Sequence, residues 1–456
     1  MPVNREQLDR YVDESRAGFE DLLGEAVEIP SISMDPSKAG EMRRQAEWAR
    51  QVLARFGAEA QIVETGGYPI VSGGWTVGAQ YPTVTVYNHM DVQPAQEPEW
   101  QQAPFAFEKD SGLYKGRGAT DDKGPAFAAL FGARFAIEQG LPINIRLLWE
   151  LEEEIGSPHF AAGLKHRMAI PRPDSVVVSD TIWIAKGRPA MPYGLRGLLG
   201  ARLTLKTGSK DAHSGVTGGA ARNPLAELIE VAQACVNAKT GEVKIPGFYK
   251  DVVKPTKAEI RSFLNSGFDV KRFKAAYGFQ SLRTNDPAEI TRRIWAAPTF
   301  EIHGLTGGYQ GPGVKTVVPG QGELKVSMRL VPNQTPEKAF ALLKQYVAKL
   351  NPNVKVEREG MLHPFKGSFD GPYVEAVKRA AKAGFGKEPA FIREGGSIGA
   401  VVTMQKAWKA PILFMGLSLP EHGYHAPNEF FDWGQAASGM RAFAHYFAEL
   451  ARMGKQ

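Results

Sequence analysis

Four apolar runs in this chain read as strands covered on both faces, and each leads into histidine or carboxylate side chains. Val84-Thr85-Val86-Tyr87 runs into Asn88-His89-Met90-Asp91, and Ile145-Arg146-Leu147-Leu148-Trp149 into Glu152-Glu153-Glu154. Val176-Val177-Val178 runs into Ser179-Asp180, and Ile412-Leu413-Phe414-Met415 towards His422 and His425. Continuous apolar runs of this kind suit a parallel sheet with helices on both sides. Helical spacing falls between them over Glu6 to Val27, Glu41 to Phe56 and Pro125 to Gln139. The alternation predicts an α/β fold with a mostly parallel sheet over residues 1–196. In such sheets the functional crevice lies at the carboxyl ends of the strands.

The pattern changes after Tyr193-Gly194-Leu195-Arg196-Gly197. Ala201-Arg202-Leu203-Thr204-Leu205 alternates apolar and polar, as a strand with one face in solvent does. Residues 197–364 are therefore expected to form a second, α+β unit. It would hold helix Pro224 to Ala238, a polar excursion from about Gly241 to Asn285, strand Gly322 to Leu330, helix Pro336 to Leu350 and strand Val354 to Glu357. From residue 365 the βαβ character returns, with helix Pro372 to Gly384, strand Ala390 to Arg393, helix Gly399 to Gln405, strand Ile412 to Met415 and a final helix Trp433 to Met453. The catalytic domain is thus expected to be discontinuous, residues 1–196 and 365–456, with the middle unit inserted.

A chain of 456 residues exceeds the size at which one core stops growing, which agrees with more than one domain. No apolar run approaches the ~20 residues of a membrane span. The stretch from Met1 to Leu23 lacks the basic start and apolar centre of a secretory signal, so a cytoplasmic location is expected. The single cysteine, Cys235, excludes an internal disulfide framework. The net charge of +6 is concentrated in residues 197–364, and the flanking parts together are slightly acidic. No aromatic-studded basic tract accompanies it, so nucleic acid is not the expected partner. The densest basic run, Lys271-Arg272-Phe273-Lys274, reads as a solvated helix face, although a basic middle could help attract anionic substrates.

The strand-end residues carry the chemistry. His89 and Asp91 share a face of an extended chain, so Asp91 could orient the imbidazole ring if His89 binds a metal; alone, a loop histidine beside an acid is equally served by an ion pair. Asp121 and Asp122, in Gly116-Arg117-Gly118-Ala119-Thr120-Asp121-Asp122-Lys123-Gly124-Pro125, could cap the helix that follows or supply a bridging carboxylate. Adjacent Glu152, Glu153 and Glu154 repel one another unless cations or protons offset the charge. One could bind metal while its neighbour takes a proton from the attacking water. Asp180 could instead cap a turn, and His422 and His425 compete for one role. Two histidines and several carboxylates at one sheet edge suggest a two-metal hydrolase centre.

Taken together, these segments resemble the metallopeptidase family that includes carboxypeptidase G, acetylornithine deacetylase, carnosinase and cytosolic nonspecific dipeptidase, and most closely its carnosinase and cytosolic dipeptidase branch. The resemblance covers nearly the whole chain. It rests on Tyr87 to Pro94, Gly116 to Pro125, Glu153-Glu154 before Gly156-Ser157, Ser179-Asp180, Lys210-Asp211-Ala212-His213-Ser214-Gly215, Val326 to Asn333, Glu394-Gly395-Gly396-Ser397-Ile398 and His425 to Glu429. It implies one metal on His89 and Asp180, a second on Glu154 and His425, and Asp121 bridging both. Glu153 would be the general base and Asp91 the orienting residue, and His422 is demoted. Asn88 departs from the family's common glycine before the histidine. The resemblance also implies a homodimer in which the inserted unit acts as a lid and lends His213 to the other subunit's site. Thr316, Arg329, Gly396 and Ser397 match substrate-contacting positions.

Arg329 lies in the alternating strand Lys325 to Leu330, where an exposed ion pair is the ordinary role. A guanidinium can instead grip a terminal carboxylate bidentately, and the glycine turn before a helix offers N–H groups to the same anion. The expected activity is hydrolysis of dipeptides or related aminoacyl compounds ending in a free carboxylate, with N-acyl or N-carbamoyl amino acids as the alternative substrates. Zinc suits the donor set, and manganese or cobalt could occupy it. Gly395-Gly396-Ser397-Ile398-Gly399 also fits a serine nucleophile elbow, with His425 as base. That rival leaves the carboxylates at three other strand ends unexplained.

Overall fold

The four apolar runs become neighbouring strands because their side chains have nowhere else to go: Val84, Val86, Leu147, Val176, Val177 and Phe414 are all buried. In the computed structural model, which describes residues 3–455, they lie in one six-stranded sheet. Met1, Pro2 and Gln456, at the ends of the two expected catalytic segments, lie outside the described residues. The strand order is Glu59–Val63, Ile70–Trp75, Asn144–Glu150, Thr83–His89, Ser175–Val178 and Ile412–Phe414. The last four run parallel. Their register sets His89 opposite Glu150, and Tyr87 and Phe414 opposite Val178, so their carboxyl ends open on one edge.

The first two strands, which the apolar pattern does not announce, are antiparallel additions. Ile70–Trp75 carries Gly73 and Gly74, which break its pattern for a packing reason. A Cβ on Gly73 would come within 2.8 Å of Leu53 in the helix Ala39–Arg55, and one on Gly74 within 2.3 Å of the Ile145 carbonyl. The expected first helix is two, Arg5–Glu14 and Arg16–Val27, parted at Ser15, whose hydroxyl donates to the Tyr11 carbonyl at 2.7 Å. Serine competing for backbone groups in this way weakens a helix locally. Helices Gly124–Glu138, Pro372–Phe385 and Trp433–Met453 bury much of their surface in the main core beside the sheet.

A second sheet, all antiparallel, has the order Glu301–Gly307, Gln321–Leu330, Gly197–Lys206, Lys355–Leu362. Its central strands alternate buried and part-exposed residues, and their buried side packs in one core with helices Pro224–Cys235 and Pro336–Leu350. Glu301–Gly307 escapes a sequence reading because it is an edge strand exposed along most of its length. The polar excursion contains two short helices, Lys257–Asn265 and Val270–Ala276.

The chain passes between the two sheets through a third, small one. There Ala390–Glu394 pairs in parallel with Ala190–Leu195, which Arg196 separates from Gly197–Lys206. This pairing carries the 395–397 turn to the side of Arg196. Among the described residues no helix is long and apolar enough to cross a membrane.

Candidate active site

His89 ends its strand and is buried with its ring held from both sides. Nδ1 lies 2.9 Å from the Asp91 carbonyl, and Nε2 lies 3.0 Å from Asp121 Oδ1 and 3.9 Å from Asp180 Oδ2. The Asp91 carboxylate accepts the backbone N–H groups of Glu153 and Glu154 at 3.1 and 3.0 Å, tying the end of the next strand to the histidine. Of the three consecutive glutamates, Glu153 and Glu154 line the cavity. Glu152 turns away, accepting from the N–H groups of Tyr68 and His159.

The Gly116 to Pro125 loop holds Asp121 from below. The Glu429 carboxylate accepts four hydrogen bonds, from the Gly118 and Arg117 side at 3.0 and 2.8 Å and from the Thr120 and Asp121 N–H groups at 2.9 and 3.0 Å. Neither aspartate caps the following helix. Asp122 instead accepts from the Asn88 amide at 2.7 Å, and the Asp121–Asp122 peptide is cis.

His425 has a positive φ of +56°, in a turn with Gly423 at +80° and Asn428 at +61°. That backbone puts its Nε2 3.1 Å from Asp121 Oδ2 and 3.2 Å from Glu154 Oε2. His422 points the other way, to Thr120, the Leu419 N–H and Asp432, so the competition between the two histidines is resolved by the turn.

Electrostatics mark this edge as a cation site. Burial pushes Asp180 up to about 7, with Asp121 and Glu154 adding to it against the pull of His89. Burial likewise raises Glu153 well above the usual carboxylate range, with Asp180, Glu154 and Asp91 adding to it against His89. Burial and Asp121 raise Glu154. Asp121 goes the other way, because His425 and His89 outweigh its burial and hold it low. Partial loss of water around its half-exposed ring would lower His425, but Asp121 and Glu154 lift it to about 11.

Two sets of donor atoms converge within 4.8 Å: His89, Glu153 and Asp180, and His89, Asp121 and Glu154. His425 stands beside the second. Asp121 Oδ2 is close to His425 but not aligned to accept from it, and has no hydrogen-bond partner. Imidazole and carboxylate oxygens at this spacing, with buried like charges among them, fit divalent cations.

A cavity of about 1510 Å³ opens from this edge, reached past His425, whose side chain is 55% exposed. Arg329, Gly396 and Ser397 line it, and Arg329 Nη1 donates to Ser397 Oγ at 3.0 Å. The Ser397 hydroxyl donates to the Arg196 carbonyl, and His425 is engaged with Asp121 and Glu154, so the nucleophile-elbow arrangement is not assembled. Thr316 and His213 are exposed, paired through the short strands Val317–Val318 and Ala212–His213, and neither lines this cavity. Arg272 and Phe273 do line it, so the basic run is more than a solvated face.

Three cavity residues escaped sequence reasoning. Glu394 is pushed up to about 8 by burial and then by Asp180, and its Oε2 has no hydrogen-bond partner. Tyr424 donates to Asp180 Oδ1 at 3.2 Å, and Arg196 braces the Gly395 carbonyl at 3.2 Å. Glu394 was visible within the Glu394-Gly395-Gly396-Ser397 motif, but only the fold shows it turned inward. The other two had no local signal.

The profile of peptidase family M20/M25/M40 matches residues 85–449, and the chain belongs to that family of enzymes. Over 474 residues it is 31% identical to Cys-Gly metallodipeptidase dug1 of Schizosaccharomyces pombe, covering 99% of each chain. It is also similar to the crystal structure of human carnosine dipeptidase 1, with a TM-score of 0.88 at 29% identity over 99% of each chain. The M20 family metallo-carboxypeptidase Sso-CP2 of Sulfolobus solfataricus matches with a TM-score of 0.87 at 31% identity, over 94% of this chain and 98% of that one. These relatives carry the fold expected from sequence, a largely parallel-sheet unit with an inserted α+β unit, and divalent metal binding is a property of the family.

Proposed function

We propose that the chain hydrolyses dipeptides with a free C-terminal carboxylate, using two divalent cations held by His89, Asp121, Glu154, Asp180 and His425. Asp121, with Oδ1 beside His89 and Oδ2 beside His425, would serve both cations, and zinc is the one the donor set suits best, with manganese or cobalt as substitutes. Held by these residues, the cations would supply Lewis acidity to the scissile carbonyl and to the attacking water.

Glu153 takes the proton of that water. Its strand-end position leaves it beside the donors, within reach of a water held there. It then returns the proton to the leaving amine. Asp91 fixes both the ring of His89 and the N–H groups of Glu153 and Glu154, so base and donors keep one relative position. Arg329, with the turn at Gly396 and Ser397, receives the substrate carboxylate. Thr316 contacts the substrate, and His213 reaches the site from a second copy of the chain, where the imidazole stabilises the oxyanion.

The observation that carries a dipeptide rather than an N-acyl amino acid is Glu394. Glu394 lines the cavity with an Oε2 that has no hydrogen-bond partner, and a free α-ammonium there would stabilise its ionised form, which a neutral acyl group cannot do. The dipeptidases among the relatives agree with it.

The test is a substrate panel of dipeptides, their C-terminal amides, N-acetyl and N-carbamoyl amino acids. Dipeptides should be cleaved, and chelation should abolish the activity until divalent metal is returned. Amidation should lower kcat/KM by about ten- to a hundredfold, as a charge-assisted pair of roughly 1.5–3 kcal/mol is lost. Full activity without metal, or turnover confined to N-acyl compounds, would overturn the proposal.

A further inference from the structure

Two arginines stand together at the cavity wall without a carboxylate to share. Arg196 immediately precedes the strand Gly197–Lys206, and the antiparallel register sets Leu198 opposite Arg329. Both side chains reach the same turn. Arg196 donates through Nε to the Gly395 carbonyl at 3.2 Å and through Nη1 to the Arg293 carbonyl at 3.4 Å, and Arg329 donates to Ser397. Arg196 Nη2 and the remaining donors of Arg329 have no such bond, and among the described residues neither arginine forms an ion pair. Its neighbour Arg293 is different, being paired with Glu289 at 2.7 Å.

Burial and then the charge of Arg329, against the pull of Glu301, bring Arg196 down to about 9. Two part-buried guanidinium groups that repel each other gain most from anions. Both also line a second cavity of about 1100 Å³, whose lining includes Lys254 and Arg283 as well as Glu242 and Glu301. There is room past Arg329 for a side chain on the C-terminal residue of a substrate.

We propose that Arg196 binds a second carboxylate, on the side chain of the substrate's C-terminal residue, so that dipeptides ending in glutamate or aspartate are preferred to those ending in the matching amides. The inference rests on Arg329 receiving the α-carboxylate. One guanidinium can hold that group bidentately, and the neighbouring one then faces the side chain.

The test compares kcat/KM for Ala-Glu with Ala-Gln, and Ala-Asp with Ala-Asn, on the metal-loaded enzyme. Each pair differs in charge and hardly in shape, so the ratio isolates the second anion. A ratio of about ten or more is expected for the parent protein, the size of a charge-assisted hydrogen bond. Arg196→Gln should bring the ratio towards one whatever happens to the absolute rates, and Arg196→Lys, keeping the charge and losing the fork, should lower it partway. If Arg196 only braces the 395–397 turn, both members of a pair slow together and the ratio stays as in the parent, which overturns the proposal. A parent ratio near one overturns it while leaving the dipeptidase reading intact. No turnover of any dipeptide overturns both.

Discussion

Replacing Glu429 by glutamine tests whether the cation edge is held from beneath. The carboxylate serves four donors with two oxygens: Arg117 and the Gly118 N–H on Oε2, the Thr120 and Asp121 N–H groups on Oε1. Four donors require an ionised acceptor. An amide has one oxygen, so in either orientation its NH₂ faces two N–H donors and two bonds are lost. With the carbonyl towards Thr120 and Asp121, buried Arg117 keeps only the Pro94 carbonyl at 3.3 Å and the face of Trp100, 5.2 Å from the ring centre. Removing one partner of a buried ion pair costs about 3–5 kcal/mol, because a charge is left uncompensated. Because the Asp121 N–H is among the four, the loop that carries this donor should loosen as well. Loss of such an outer partner typically weakens metal affinity about 10- to 100-fold. Urea unfolding of the metal-free protein, followed by tryptophan fluorescence, gives the first quantity, and metal titration gives the second. Stability within about 1 kcal/mol of the parent together with unchanged metal affinity would refute the reasoning.

Glu153→Gln should keep its metal content per chain and lose ~10²-fold or more in kcat, as expected for a general base; near-parental turnover would assign that role elsewhere. If His213 acts in trans, Glu153→Gln and His213→Ala dimers are both defective, and random subunit exchange at equal amounts should restore about a quarter of all sites. No recovery, with exchange confirmed by native mass spectrometry, would place His213 in cis or outside catalysis. Burial would raise Glu259, but the Thr256 N–H and Arg393 outweigh it and bring it down to about 2. A depressed folded value means that its contribution is complete above the ordinary carboxylate range of ~4.3 and is lost as pH falls through the folded one. The stability difference between the parent and Glu259→Gln should therefore be level near neutrality and shrink between about pH 4.5 and 2. A difference that grows on acidification would contradict this.

The parts legible in sequence share one property: their signal is local. Val84, Val86 and Val176 to Val178 are buried in a sheet covered on both faces, so the strands appear as unbroken apolar runs, and the residues just beyond them occupy one edge. His89, Asp180 and the triplet Glu152 to Glu154 could be picked out for that reason alone, whereas the turning of Glu152 away to the Tyr68 and His159 N–H groups could not. Ile70–Trp75 was hidden because close packing of Leu53 and Ile145 demands glycines inside it, and Glu301–Gly307 because an exposed edge strand has no buried face to pattern. His422 and His425 could not be separated from composition. Their separation depends on a positive φ that turns one ring out to Asp121 while the other is sealed against Thr120 and Asp432.

Contacts that join distant segments left no trace in the pattern. Glu429 meets the 117–121 loop across some three hundred residues, and Arg196 and Arg329 meet only through strand register and a turn at 395–397. Each of these residues, read singly, is an ordinary charged side chain. Their consequence comes from what they meet: Glu429 meets four donors, and the two arginines meet at one turn with no ion pair among the described residues. His213 and Thr316 are the remaining case. Within one chain both are exposed and outside the cavity lining: His213 ends a two-residue strand and accepts the Gly215 N–H at 2.9 Å, and Thr316 precedes the strand that pairs with it. If they act in catalysis from a second chain, that chain must bring its cavity to this surface, and recovery of activity in mixed dimers separates that arrangement from a role in cis or outside catalysis.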